Sequence, residues 1–230
     1  MRVGNSVTCC LFCLFVAAFP MSPPCAADDG RNPDKSLREL REGNIRFVRG
    51  AAVHPRQDGG RRRRTERDGQ TPKALVLACS DSRVPVETIF DQGIGDIFVV
   101  RVAGNVPVIG VLGTIEYAVE HLRVPLIVVM GHTGCGAVDS AWAGGSYPAN
   151  LEKLLKPLEA VVANVRKTLP PDTGSDKAKE MIIRANVNSA AATILKRASE
   201  VAARVLSGDL LVMRAIYNIG SGEVLWSPSP

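Results

Sequence analysis

Three side chains with soft or borderline donor atoms stand at the ends of apolar runs. Cys79 closes Ala74-Leu75-Val76-Leu77-Ala78, while His132 and Cys135 lie three residues apart in Gly131-His132-Thr133-Gly134-Cys135-Gly136, after the run Leu126 to Met130. Two thiolates and one imidazole suit Zn2+, one ion per chain, and three protein ligands leave the fourth tetrahedral position open, as catalytic sites do. Asp81, two residues past Cys79, is near enough to bond a water in that position or to act as a conditional fourth ligand. Arg83, two residues further, is the natural partner for holding Asp81 as an aimed carboxylate. Zinc bound by two thiolates can still lower the pKa of water far enough to give hydroxide near neutrality.

Such a site needs elements that bring the donors together. Both apolar runs read as buried parallel strands, and ligands at the carboxyl ends of neighbouring parallel strands converge in one crevice. Gly131, Gly134 and Gly136 let the backbone come close to a metal. Between the runs, a short helix is expected from about Val84 to Asp91, a strand over Ile97–Val102, and a helix from about Gly110 to Leu122 with Leu112, Ile115, Val119 and Leu122 on one face. Alternation of this kind predicts an α/β fold, a central mainly parallel sheet flanked by helices with right-handed crossovers. An amphipathic helix over Ser36–Arg49 precedes it as an N-terminal helical arm. After it, helices are expected over Leu151–Lys167 and Asp176–Leu206, then a strand over Leu210–Tyr217. No repeat and no second domain is visible, so residues 28–230 read as a single domain.

The 230 residues are 46% hydrophobic and 22% charged, an ordinary globular composition. The start departs from it: Arg2, an apolar run from Val7 to Phe19 and the exit Cys25-Ala26-Ala27 give residues 1–27 the three-part pattern of a secretory signal peptide. The run is shorter than the roughly 20 residues of a spanning helix, which argues against an anchor and for no membrane association once the signal is removed. Export to a periplasm, or secretion where there is no outer membrane, is the expectation. Of six cysteines, Cys9, Cys10, Cys13 and Cys25 fall in that segment, leaving Cys79 and Cys135. In an exported chain these two could form a disulfide, but their setting beside His, Asp and Arg favours metal.

Net charge is +5, with the excess concentrated in Arg61-Arg62-Arg63-Arg64. Without interleaved aromatics this predicts no nucleic-acid partner, and residues 56–70 read as a basic, mobile, solvated loop. His121, at a helix end, reads as structural; His54, before Pro55, is a weak candidate for proton transfer.

The motifs together resemble the β-class carbonic anhydrases over about Leu37 to Val138. They are Leu-Arg-Glu-Gly-Asn-Ile-Arg-Phe, Ala-Cys-Ser-Asp-Ser-Arg-Val, Asp-Gln-Gly-Ile-Gly-Asp-Ile-Phe-Val-Val-Arg-Val-Ala-Gly-Asn and Gly-His-Thr-Gly-Cys-Gly-Ala-Val. The resemblance implies reversible hydration of carbon dioxide to bicarbonate and a proton by a homodimer or homotetramer. It makes Cys79, His132 and Cys135 the zinc ligands and Asp81 with Arg83 a catalytic dyad, Asp81 turning onto zinc at lower pH in some members. It also implies an apolar substrate pocket near Phe90, Val99, Ala103 and Gly104. Two features depart from the family: the long Arg-rich segment, and Arg214 where a glycine is usual. Hydrolysis of carbonyl sulfide or carbon disulfide on the same scaffold, and non-catalytic binding of zinc or bicarbonate, are the alternatives.

Overall fold

The computed structural model describes residues 31–227; the expected signal peptide, 1–27, lies outside the described residues. Five strands, β1 (Ala74–Ala78), β2 (Ile97–Arg101), β3 (Leu126–His132), β4 (Leu211–Tyr217) and β5 (Val224–Ser227), form one sheet in the order β2-β1-β3-β4-β5. The first four are parallel and β5 is antiparallel to β4. Every residue of β1 and β3 is buried, which is why both sequences are continuous apolar runs without alternation.

The sheet separates two cores. Leu75, Leu77, Ile127 and Val129 face a large cluster built with α4 (Ile109–Glu120), α5 (Gly136–Ala143), α6 (Ala149–Thr168), α7 (Ser175–Arg197) and α8 (Ser199–Leu206). Ala74, Val76, Ala78, Leu126, Val128 and Met130 face a smaller one closed by α1 (Pro33–Val48), α3 (Val86–Ile89) and β5. Asn32 caps α1, its side chain accepting from the Lys35 N–H. Within α1, Asn44 donates to the carbonyls of Ile89 and Gly222 and accepts from the Val224 N–H, pinning the arm to its own chain.

The fold corrects several expectations. Residues 56–70, expected as a loop, contain a helix, α2, over Gly59–Asp68. Asp58 caps it through the Arg61 N–H, and the Arg61 guanidinium turns inward to the Ile94 carbonyl and the Asp96 carboxylate. Arginine is a good helix former, so one inward guanidinium and one cap suffice while Arg62, Arg63 and Arg64 stay exposed. The segment expected as one helix over 176–206 breaks at Ala198, whose backbone is extended. Helix α5 and strand β5 were not expected. Arg214 is accommodated on β4 by donating to Asn188 Oδ1 at 2.8 Å. Among the described residues no helix is long and apolar enough to cross a membrane.

Candidate metal centre

Strands β1 and β3 are hydrogen-bonded neighbours, with Leu77 opposite Val129, so their carboxyl ends open at the same level of the sheet. Cys79, His132 and Cys135 converge there. One ligand atom from each lies within 4.8 Å of the others, and the residues are 4%, 1% and 3% exposed. Both thiols are free.

The donors fit a metal. His132 Nδ1 lies 3.0 Å from the Thr133 carbonyl oxygen, which can only accept, so Nδ1 carries a hydrogen and Nε2 is the ring atom available to a metal. That Nε2 is buried and has no hydrogen-bond partner. A buried polar atom left without a partner beside two thiols is costly, and a metal ion would satisfy it. Cys79 is held well below the usual thiol range by the Cys135 thiol, helped by His132 and the Gly104 N–H, against the opposing effect of burial. The same contact and burial push Cys135 upward. The two thiols share one proton closely, and a cation bound by both sulfurs would take its place.

Asp81 is aimed by Arg83. Arg83 Nε donates to Oδ1 at 3.0 Å, Nη2 to Oδ2 at 2.8 Å, and the Arg83 N–H to Oδ1 at 2.9 Å. The side-chain bond to Arg83 is the main reason the Asp81 carboxyl is held below the usual carboxylate range, outweighing burial. Asp81 Oδ2 is 3.9 Å from His132 Nε2, beside the ligand cluster with both its oxygens on Arg83. Arg83 Nη2 also donates to the Gly134 carbonyl at 3.0 Å, tying the β1 loop to the β3 loop.

Arg101 carries no motif that marks it. It ends β2 opposite Ala78, and its guanidinium donates to the Cys79 carbonyl at 3.1 Å and the Asp81 carbonyl at 2.5 Å. The available signal was a cation at the end of a strand adjacent to the ligand strand. Gly131 is required by close approach: a Cβ there would lie 2.7 Å from Val187 Cγ2 on α7.

Not every candidate is brought to the centre. Gly104 is buried beside Cys79, and Ala103 is half-buried next to it. Phe90 is fully buried in the smaller core, 5.9 Å from the Trp226 ring, and Val99 packs against that same core. The structure thus places these two across the sheet from the core that contains the thiols. His54 is exposed between α1 and α2, its backbone N–H donating to Asp91, and His121 is exposed at the end of α4 against Tyr117.

The family model described as "Carbonic anhydrase" matches residues 74–224. The chain is 40% identical over 197 residues to carbonic anhydrase 2 of Mycobacterium tuberculosis, covering 84% of this chain and 92% of that one. It is 39% identical to the carbonic anhydrase of Mycolicibacterium smegmatis over 84% of this chain and 92% of that one. A tetrameric β-carbonic anhydrase of Sordaria macrospora superposes with a TM-score of 0.67 at 28% identity, covering 84% of this chain and 96% of the other.

Proposed function

The chain belongs to the β-class carbonic anhydrase family and is a carbonic anhydrase; from that premise we propose that Cys79, His132 and Cys135 hold one zinc ion and that Asp81 and Arg83 serve hydration of carbon dioxide to bicarbonate and a proton. The observation that carries this reading is the convergence of the three donor atoms within 4.8 Å, with a buried His132 Nε2 that has no other partner.

Zinc, when bound, supplies Lewis acidity that makes a water acidic near neutral pH. Everything else falls to the chain. Asp81, kept ionised by Arg83, accepts a hydrogen bond from the nucleophilic oxygen and fixes which lone pair faces the substrate. Arg83, bonded to both carboxylate oxygens and to the Gly134 carbonyl, holds that acceptor at a fixed distance from the donor cluster. Ala103 and Gly104, next to Cys79, are our assignment for the apolar wall against which carbon dioxide rests. The product proton passes to solvent or buffer. The tetrameric Sordaria relative supports a homo-oligomer, and the pattern of residues 1–27 supports export; N-terminal sequencing of protein from the native envelope tests the latter.

Replacing Cys135 by Ser tests the assignment. Zinc content and stopped-flow hydration should fall together to background, and survival of both would remove Cys135 from the ligand set. Competition between carbon dioxide and carbonyl sulfide on the wild-type protein should favour carbon dioxide; preference for the sulfur analogue would reassign the substrate.

A further inference from the structure

One candidate ligand sulfur is met by a backbone N–H from another segment of the chain. Gly104 donates its N–H to Cys79 Sγ at 3.3 Å. Gly104 is left-handed there, at φ 70° and ψ 15°. A side chain is barred there twice over: by the backbone angle, and because a Cβ would lie 2.6 Å from Leu158 Cδ1 and 3.2 Å from Ala137 Cβ.

The peptide that follows is clamped at both ends. The Asn105 N–H donates to the Val102 carbonyl at 2.9 Å. The Gly104 carbonyl accepts from Asn186 Nδ2 at 2.8 Å, and the same nitrogen lies 3.4 Å from Asn105 Oδ1. Asn186 belongs to α7 and is 4% exposed. A buried amide in a helix of otherwise apolar inward residues is expensive unless its hydrogen bonds do something a leucine could not. Here one of them fixes the plane of the peptide next to the N–H that meets the ligand sulfur.

We propose that Asn186 is a positioning residue for the metal centre: by gripping the Gly104 carbonyl it aims the Gly104 N–H at Cys79 Sγ and so slows the release of zinc. This rests on the reading of Cys79 as a zinc ligand. Partners of this outer kind typically alter metal affinity by about 10-fold to 100-fold.

The test compares Asn186→Ala with Ile194→Val, a packing loss on the same helix at a fully buried residue. Zinc-loaded protein is mixed with a chromogenic chelator and the release rate is followed; the cobalt-substituted proteins are compared by their thiolate-to-metal charge-transfer band. Asn186→Ala should release zinc about 10-fold faster and shift the cobalt band, while Ile194→Val should do neither. Equal release and an unshifted band in Asn186→Ala would overturn the proposal, as would the same change in both variants, which would make it a stability effect. Should the alanine variant not fold, Asn186→Ser gives the same comparison, and failure of both to fold would assign Asn186 to stability alone. Wild-type protein without stoichiometric zinc removes the ligand reading and this inference with it, whereas wild-type zinc with unchanged release in the variants overturns this inference only.

Discussion

The two loops that meet at the metal centre are built on opposite principles. The loop after β1, Cys79 to Arg83, is strapped by side chains: Arg83 to Asp81, Arg83 to the Gly134 carbonyl, and Arg101 to the carbonyls of Cys79 and Asp81. The end of β3 and the loop after it are held mainly by backbone. Gly131 lies tight against α7, the Thr133 N–H donates to the Tyr217 carbonyl at 3.0 Å, and Cys135 occupies the cap position of α5. There the N–H groups of Ala137 and Val138 help stabilise its thiolate, though less than burial and Cys79 oppose it. Guanidinium straps can be removed while the backbone keeps its path, whereas a glycine against a helix has nowhere to shift. The second loop should therefore fail by losing metal, and the first by losing aim.

The largest effect expected is at Gly131. Gly131→Ala puts a Cβ 2.7 Å from Val187 Cγ2, so either α7 or the β3 end must move, at a cost of about 1–3 kcal/mol, and His132 moves with the latter. Zinc content should fall below half, measured by metal analysis of purified protein, and the double variant Gly131→Ala, Val187→Ala should regain most of it. Full zinc in the single variant would break the contrast.

Arg83→Lys probes the other loop. Lysine cannot reproduce the fork that engages both Asp81 oxygens, so the hydration rate constant should drop by about 10-fold to 100-fold while zinc stays bound. Loss of zinc in step with activity would show that the strap holds the metal and not only the carboxylate. Arg101→Ala should have a smaller effect, about 10-fold or less in kcat, because Arg83 still ties Asp81 to Gly134. Stopped-flow hydration on zinc-matched samples separates the two.

The contrast also explains what was legible in the sequence. Continuous apolar runs ending in Cys79 and in His132 and Cys135 announce buried parallel strands and their ligands, because the chemistry sits within a few residues of the pattern. Asp81 and Arg83 are local to each other and readable for the same reason. Arg101 depends on the pairing of β2 with β1, and Asn186, on α7, lies 82 residues after Gly104; neither is marked by a motif. Helix α2 is hard to read from the sequence because Gly59-Gly60 and a like-charge run argue against a helix taken alone, while the bonds of Arg61 to Ile94 and Asp96 are tertiary. Strand β5 is four residues long and pairs across a turn. Phe90 sits on the opposite side of the sheet from Cys79, a distinction that linear proximity to the ligand motif does not carry.

A region remote from both loops gives the smallest expected effect and a control for them. Asp96 is 4% exposed and accepts from Arg56 Nε at 2.7 Å and 2.9 Å and from the Gly93 N–H at 2.8 Å. Burial would raise its pKa, yet Arg56 and the Gly93 N–H together leave it below the ordinary carboxylate value. As pH falls, the unfolded chain takes up this proton first. The ionised carboxylate therefore stabilises the fold fully above the ordinary carboxylate pKa of about 4, and that stability fades as pH drops through the lower folded value. Asp96→Asn should lower stability at pH 7 by about 1–2 kcal/mol, with the gap to wild type closing on acidification below about pH 4. Urea unfolding of metal-free protein at several pH values measures this, and the zinc-loaded variant should hydrate carbon dioxide at the wild-type rate. A gap that stays constant with pH would mean that the shape of the side chain, and not its charge, holds α2 against the turn before β2.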